Sequence, residues 1–252
     1  MERITSRRNP LCLHIKKLGA ARSYRESCGQ FVCDGIKLLE EAVMCDAEIC
    51  AVLTSTDIPF ALSVDSKVYY AARDIIDSLS PLQNSQGVLF TSKIPQKNSL
   101  ETISALKGTH ILLDGVQDPG NVGTIIRTAS AFGIRSVILT GGCADPYNPK
   151  TIRATMGAIF KQVLFNVSSS KLDVLRESGR KIIGTVLDGD CSDISEINLK
   201  DAIIAIGNEG CGLSSRMLSL CSEKIKIPIL PECESLNAAI AAAIIMWEAY
   251  RT

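Results

Sequence analysis

The second half of the chain carries five short apolar runs: "HILLDG" (110–115), "SVILTG" (136–141), "KIIGTV" (181–186), "AIIAIG" (202–207) and "KIKIPI" (224–229). Helix-patterned sequence separates most of them. Continuous apolar runs of this length suit strands covered on both faces, and their alternation with helices predicts a parallel sheet in an α/β fold. Sheets of that kind bind ligands beyond the carboxyl ends of their strands. Three segments distant in sequence fall there, "TGG" (140–142), "GNEGCG" (207–212) and "PILPECESLN" (228–237). They are expected to converge on one pocket.

The second of these segments limits the ligand. A phosphate-cradling turn offers backbone N–H groups and a cation, whereas this one carries Glu209 among Gly207, Gly210 and Gly212. Its order, G-x-x-G-x-G, also differs from the dinucleotide fingerprint G-x-G-x-x-G. Either a nucleotide-like ligand without phosphate sits here, or the glycines serve only a tight strand-to-helix turn.

The first half has a different pattern. "GQFVCDGIKLLEEAV" reads as a strand entering a helix, "AEICAVLTS" as a strand, "KVYYAARDIIDSLS" as strand then helix, and "QGVLFTS" as a last strand. The polar segment 89–103, with Pro95, separates the halves, and the boundary is set near Lys97: a basic leader with a small α/β domain over 1–97, and a larger domain over 98–252. The charge of the whole chain is balanced, with 27 basic and 27 acidic residues, yet its leader is not. Residues 1–25 hold Arg3, Arg7, Arg8, Lys16, Lys17, Arg22 and Arg25 against Glu2 alone. Such a patch is either a local phosphate contact or a solvated first helix.

Several classes drop out. The longest apolar run, Ala238 to Trp247, is far short of the roughly 20 residues of a membrane span, and no secretory leader opens the chain, so a cytoplasmic protein is expected. The ten cysteines form no C-x-x-C, and His14 and His110 are the only histidines, so no zinc-finger spacing can be assembled and no metal is expected. The cysteines read as reduced and mostly buried; disulfides Cys28–Cys33 and Cys45–Cys50 are the alternative. No G-x-S-x-G elbow supports a hydrolase.

Two further stretches carry candidate chemistry. In "DPGNVGTIIRTASAFGI" (118–134), Asn121 stands where a helix N-cap belongs, and Arg127 projects from another flank of the helix, near the strand ends. A salt-bridge partner is the alternative reading of that arginine. In "IPILPECESLNAAIAAAIIMWEAYR" (227–251), Ser235 suits the N-cap of the last helix and Asn237 its first turn. That helix is apolar nearly all round. It is expected to be covered on more than one face, by its own domain and by a second subunit, or else wholly within one domain.

Taken in this order and at these separations, "NVGTIIRTASAFG", "IGNEGCGLS" and "IPILPECESLNAAIAAAIIMWEAYR" resemble the three signature motifs of the SpoU (TrmH-type) RNA 2′-O-ribose methyltransferases. The leader "SRRNPLCLHIKKL", followed by "YRESCGQFVCDGIKLLEEA", resembles the substrate-binding domain of ribosomal-RNA members. The resemblance implies a SPOUT-type C-terminal domain whose parallel sheet holds a deep trefoil knot, S-adenosyl-L-methionine bound there, a homodimer formed through that domain, and a small N-terminal α/β RNA-binding domain. Carried over by motif position, Asn121, Arg127, Glu209, Ser235 and Asn237 form the catalytic and RNA-facing set. Thr140, Gly141, Gly207, Ile227 and Leu236 cradle the cofactor, and Arg7, Arg8, Lys16 and Lys17 of the leader contact RNA. The family often reads S-L-N-V-S-V-A where this chain reads "SLNAAIA", so Ala239 lacks a serine hydroxyl present in relatives.

The implied reaction moves a methyl group from S-adenosylmethionine to a ribose 2′-hydroxyl. Its sulfonium cation explains why a glycine turn bearing Glu209 is tolerable. Glu209 is expected to hold the loop and orient Arg127 or Asn121. Arg127 is expected to bind a phosphate and stabilise the developing alkoxide, since a guanidinium does not give up its proton readily. The N-terminal pattern favours 23S ribosomal RNA; a transfer-RNA methyltransferase and a non-catalytic ribosome-assembly factor are the alternatives.

Overall fold

Two open sheets organise the chain. The computed structural model describes residues 2–64, 66–82, 85–95, 102–103, 105–168, 171–177 and 179–251. It separates into two compact units, Met1–Pro95 with Asp145–Lys161, and Gln96–Ala144 with Gln162–Thr252. The boundary expected near Lys97 lies outside the described residues.

The first unit runs β1 (Glu2–Ile4), α1 (Pro10–Ala20), α2 (Arg22–Cys28), β2 (Gln30–Asp34), α3 (Ile36–Met44), β3 (Ile49–Thr54), β4 (Lys67–Ala71), α4 (Arg73–Leu79) and β5 (Val88–Lys93). Its strand order is β1-β4-β3-β5-β2, with β1, β4 and β3 parallel and β5 antiparallel to both its neighbours. The basic leader is thus part of the fold, since β1 supplies an edge strand. Helix α1 starts where Asn9 accepts the Leu11 amide at 2.9 Å, with Pro10 in its first turn, and buries Cys12, Ile15 and Leu18 against β2, β3 and α4 residues.

The segment 145–161 completes this unit. It holds helix α6 (Pro149–Thr155), and the aromatic Tyr147 packs on Phe31 with ring centroids 5.0 Å apart, while Phe160 meets Phe31 and Phe90 at 6.1 and 6.3 Å. Arg25, only 3% exposed, donates to Asp145 from Nε at 2.9 Å and Nη2 at 2.6 Å, and from Nη1 to the Leu18 carbonyl at 2.6 Å. A buried pair with its hydrogen bonds satisfied tolerates removal of neither partner.

The second unit contains β6 (His110–Asp114), α5 (Pro119–Ala131), β7 (Ser136–Thr140), β8 (Leu164–Val167), α7 (Asp173–Glu177), β9 (Ile182–Thr185), β10 (Ser192–Asp193), β11 (Ile203–Gly207), α8 (Ser215–Leu220), β12 (Glu223–Lys226) and α9 (Ala238–Arg251); α6 (Pro149–Thr155) falls in the first unit. All seven strands are parallel, in the order β10-β12-β9-β11-β6-β7-β8. Five of them are the apolar runs read from sequence. Strands β8 and β10 were not expected, and each is short, with Asn166 exposed within β8.

His110 lies fully buried at the start of β6. Its Nδ1 faces the Ser136 hydroxyl at 2.7 Å and its Nε2 the Leu106 carbonyl at 3.1 Å, so the neutral ring carries its proton on Nε2. Burial, with smaller effects from Arg180 and Arg135, lowers its pKa from 6.5 to about 4. As pH falls through the unfolded value the unfolded chain takes up a proton that the folded one refuses. Stability is therefore full above pH 6.5 and declines toward pH 4, by up to about 3 kcal/mol at 1.36 kcal/mol per pKa unit. NMR titration of the imidazole should find it neutral down to about pH 5; a midpoint near 6.5 refutes this.

All ten cysteines carry free thiols, so neither alternative disulfide forms. Among the described residues no helix is long and apolar enough to cross a membrane.

Candidate active site

The chain moves outward from β6 to β7 and β8 on one side, while β11 takes the place on the other side of β6. Between β6 and β11 the strand order reverses, and such a switch point opens a crevice at the carboxyl ends. Register aligns its floor. Gly207 at the end of β11 stands opposite Asp114 at the end of β6, and the Thr140 hydroxyl of β7 donates to Asp114 Oδ1 at 3.2 Å. Asp114 Oδ2 accepts the Ser214 amide at 2.7 Å, and Thr140 Oγ1 accepts the Gly115 amide at 3.2 Å. One buried carboxylate thereby ties the ends of β6 and β7 to the start of α8.

The glycine turn folds back on itself. Asn208 and Gly212 exchange backbone hydrogen bonds at 2.9 and 3.0 Å, the Asn208 side-chain oxygen accepts the amides of Gly210 and Cys211, and its Nδ2 donates to the Gly115 carbonyl at 2.8 Å. The return brings the chain so close to Gly207 that a Cβ there would lie 2.2 Å from the Gly212 carbonyl carbon and 2.4 Å from the Leu213 nitrogen. Only glycine fits.

Glu209 projects from this turn toward α5. Its Oε1 accepts from Asn121 Nδ2 at 2.9 Å, and Asn121 Oδ1 accepts from Asn237 Nδ2 at 3.0 Å. A single hydrogen-bonded row therefore joins two of the loops expected to converge, 207–212 and 228–237, through the first turn of α5. Of the two partners expected for Glu209, the structure shows Asn121 and not Arg127: Arg127, exposed on α5 six residues beyond Asn121, has no hydrogen-bond or ion-pair partner among the described residues.

Two capping assignments need correction. Helix α5 begins at Pro119, and its cap is Asp118, whose Oδ1 accepts the Asn121 amide at 2.8 Å. The Asp-Pro pair is the start signal, and Asn121 sits in the first turn with its side chain free for Glu209. At α9 the cap is Asn237, accepting the amides of Ala239 at 2.9 Å and Ile240 at 3.3 Å. Ser235 stands two residues earlier, exposed in the loop.

The remaining candidates divide by environment. Thr140 is buried, Gly141 exposed, and Gly207, Ile227 and Leu236 half-buried, all at this edge of the sheet or in the loops that leave it. The leader residues lie in the other unit: Arg7 is paired with Asp74 at 3.0 Å, Lys17 sits over the Tyr24 ring at 5.5 Å, and Arg8 and Lys16 are exposed. Sequence reasoning missed Asp114 and Asn208 as organisers. Their signals were a carboxylate closing an apolar strand and an asparagine flanked by turn glycines.

Fold and site define an α/β enzyme whose ligand seat, at a sheet switch point, is built from backbone and carboxylate groups. The match to the SpoU rRNA Methylase family covers residues 108–247. Over its whole length the chain is similar to the 23S rRNA (guanosine(2553)-2′-O)-methyltransferase RlmP of Bacillus subtilis, with 31% identity across 98% of both chains. Among solved structures it resembles an AdoMet-bound rRNA methyltransferase from Sinorhizobium meliloti (28% identity, TM-score 0.88, 99% of this chain and 97% of that one). It also resembles the SpoU methyltransferase AviRb of Streptomyces viridochromogenes in complex with AdoMet (28% identity, TM-score 0.85, 97% and 98%). The chain belongs to the SpoU rRNA Methylase family.

Its cofactor is accordingly S-adenosylmethionine, and the seat fits it. The Gly207 cradle leaves no room for a side chain, the flanking Gly141, Gly142, Gly210 and Gly212 expose backbone, and no lysine or arginine lines the 207–213 turn. A sulfonium cation needs no such counter-charge, whereas a phosphate would. Among the described residues no cluster of three or more His, Cys, Asp or Glu side chains could hold a metal ion.

Proposed function

We propose that this protein transfers a methyl group to a ribose 2′-hydroxyl of 23S ribosomal RNA in the cytoplasm, acting as a homodimer. The observation that carries the catalytic part is the row Glu209–Asn121–Asn237, which unites all three signature motifs at the switch point. Bound S-adenosylmethionine supplies a methyl group already activated by its sulfonium. Gly207, Thr140, Gly141, Ile227 and Leu236 seat it, chiefly through backbone and apolar surface.

The protein's own task is then to position and activate the hydroxyl. Glu209 fixes Asn121, and Asn121 fixes Asn237, so that the amides keep their donors and acceptors in one arrangement. Arg127, with every N–H unengaged by described residues, binds a substrate phosphate and stabilises the developing alkoxide. The exposed Ser235 hydroxyl lies in the loop leading to Asn237 and shares the departing proton with water.

Dimerisation is supported by α9. Its Ala238, Ala239, Ala242, Ile245 and Met246 are buried, yet Ile240, Ile244, Trp247 and Tyr250 are 53, 37, 51 and 62% exposed. Phe132, the residue that caps the C-terminus of α5, extends this stripe, with ring centroids 5.8 Å from Trp247 and 5.7 Å from Tyr250. A second copy of the chain covers it. The deep trefoil knot belongs to the same reading, supported by the insertion of β11 between β9 and β6. The N-terminal unit, with Arg8, Lys16 and Lys17 exposed, contributes to RNA capture.

Radiolabelled S-adenosylmethionine offered with unmodified 23S ribosomal RNA and transfer RNA tests the proposal. Alkali-resistant label is expected in the 23S RNA alone. Label confined to transfer RNA, or lost on alkaline hydrolysis, overturns it.

A further inference from the structure

The first unit contains an open cleft of about 710 Å³ that none of the signature motifs touches. It lies at the carboxyl ends of the parallel strands β1, β4 and β3, and Arg3, Ser55, Thr56, Tyr70 and Arg73 line it. Nucleotide-sized ligands occupy this edge of parallel strands in other folds for a geometric reason: side chains and turn backbones from several strands converge there. The volume falls within the range of about 300–1,000 Å³ typical of small-ligand sites.

Its chemistry is that of a nucleotide seat. Arg3 is exposed on β1 and has no hydrogen-bond or ion-pair partner among the described residues, so its guanidinium is available to an anion. Arg73 is held in place instead: Nε donates to Asp77 at 2.8 Å and Nη2 to the Ser85 carbonyl at 2.5 Å. Tyr70 is anchored by its hydroxyl, which donates to Asp57 Oδ1 at 3.2 Å, leaving a ring of fixed orientation. Ser55 and Thr56 add hydroxyls. The leader adjoins the cleft, since Arg7 pairs with Asp74, the neighbour of Arg73, at 3.0 Å. Two guanidiniums, hydroxyls and an aromatic ring are the groups with which proteins hold a single-stranded nucleotide, by phosphate contact and base stacking.

We propose that this cleft seats one unpaired nucleotide of the RNA substrate, its phosphate between Arg3 and Arg73 and its base against Tyr70. The inference rests on the methyltransferase reading only for the identity of the RNA. At this cleft Arg3 is the arginine without a partner among the described residues, whereas the nearby Arg7 is paired with Asp74.

The test uses the full-length protein carrying Arg3→Glu and, separately, Thr56→Glu. Both replace exposed side chains without a described partner, and thermal melts check that each variant folds. With 23S RNA as methyl acceptor, each substitution is expected to raise the KM for RNA about tenfold and leave both kcat and the Kd for S-adenosylmethionine unchanged. Binding of a fluorescent single-stranded oligoribonucleotide should weaken in parallel, with its salt dependence reduced by about one phosphate contact for Arg3→Glu. Unchanged KM and unchanged oligonucleotide affinity in both folded variants overturn the cleft while leaving the catalytic reading intact. Weakened oligonucleotide binding in a protein that methylates no RNA supports the cleft and removes the catalytic reading.

Discussion

Arg127→Ala is expected to lower the rate of methyl transfer about 1,000-fold, and Arg127→Lys about 100-fold, the scale on which removal of one preorganised charge-stabilising donor acts. The lysine variant keeps the charge. It loses the planar fork that holds a phosphate through two parallel hydrogen bonds while a third N–H reaches the alkoxide. Arg127 is exposed and bound to no described residue, so neither change should alter folding or affinity for S-adenosylmethionine by more than about twofold, the small scale usual for surface substitutions. Single-turnover transfer from labelled cofactor to 23S RNA separates chemistry from binding. If Arg127→Lys retains most of the wild-type rate, guanidinium geometry is not essential and the role assigned to Arg127 fails.

Gly207→Ala acts by a different route. Its methyl would stand 2.2 Å from the Gly212 carbonyl carbon and 2.6 Å from the Gly212 oxygen, atoms of the backbone with no rotamer to yield. The turn must open, which breaks the Asn208–Gly212 exchange and shifts Glu209 away from Asn121. A displacement costing about 3 kcal/mol, the upper end of the usual overpacking cost, lowers cofactor affinity about 100-fold if it is borne by the binding-competent turn. Isothermal titration with S-adenosylmethionine reads this directly, and a melting temperature lower than wild type should accompany it. Wild-type affinity in the alanine variant means that the turn does not seat the cofactor.

The site and the strands were legible in sequence to different degrees, for physical reasons. Strands β6, β7, β9 and β11 announce themselves because both faces are covered and nearly every position is apolar, whereas β12 shows only through the alternation of buried Ile225 with exposed Lys224 and Lys226. Strand β8 has four residues with Asn166 exposed in the middle, and β10 is the dipeptide Ser192–Asp193, so neither carries enough apolar signal. Asn121, Glu209 and Asn237 were named from their motifs, but not the row they form, since a contact across 88 or 116 residues leaves no local trace. Both helices start one good capping side chain away from the position their motifs suggest. Asp118 with Pro119 outcompetes Asn121, and Asn237 is nearer the helix than Ser235. The attachment of residues 145–161 to the N-terminal unit was invisible for the same reason as the row: Arg25 and Asp145 are each unremarkable until they meet.

That attachment governs how the protein can be made. On the ribosome the chain emerges from its N-terminus, and domains ordinarily fold as units as soon as they are complete. Here the first unit stays unfinished after residue 95, with Arg25 lacking its carboxylate and Phe31 and Phe90 lacking Tyr147 and Phe160, until residue 161 is out. By then β6 and β7 of the second unit have also been synthesised. Synthesis thus interleaves the two units: the strand ends carrying Asp114 and Thr140 are out before the N-terminal unit can close, and Gly207 with the 228–237 loop completes the methyl-donor seat only afterwards.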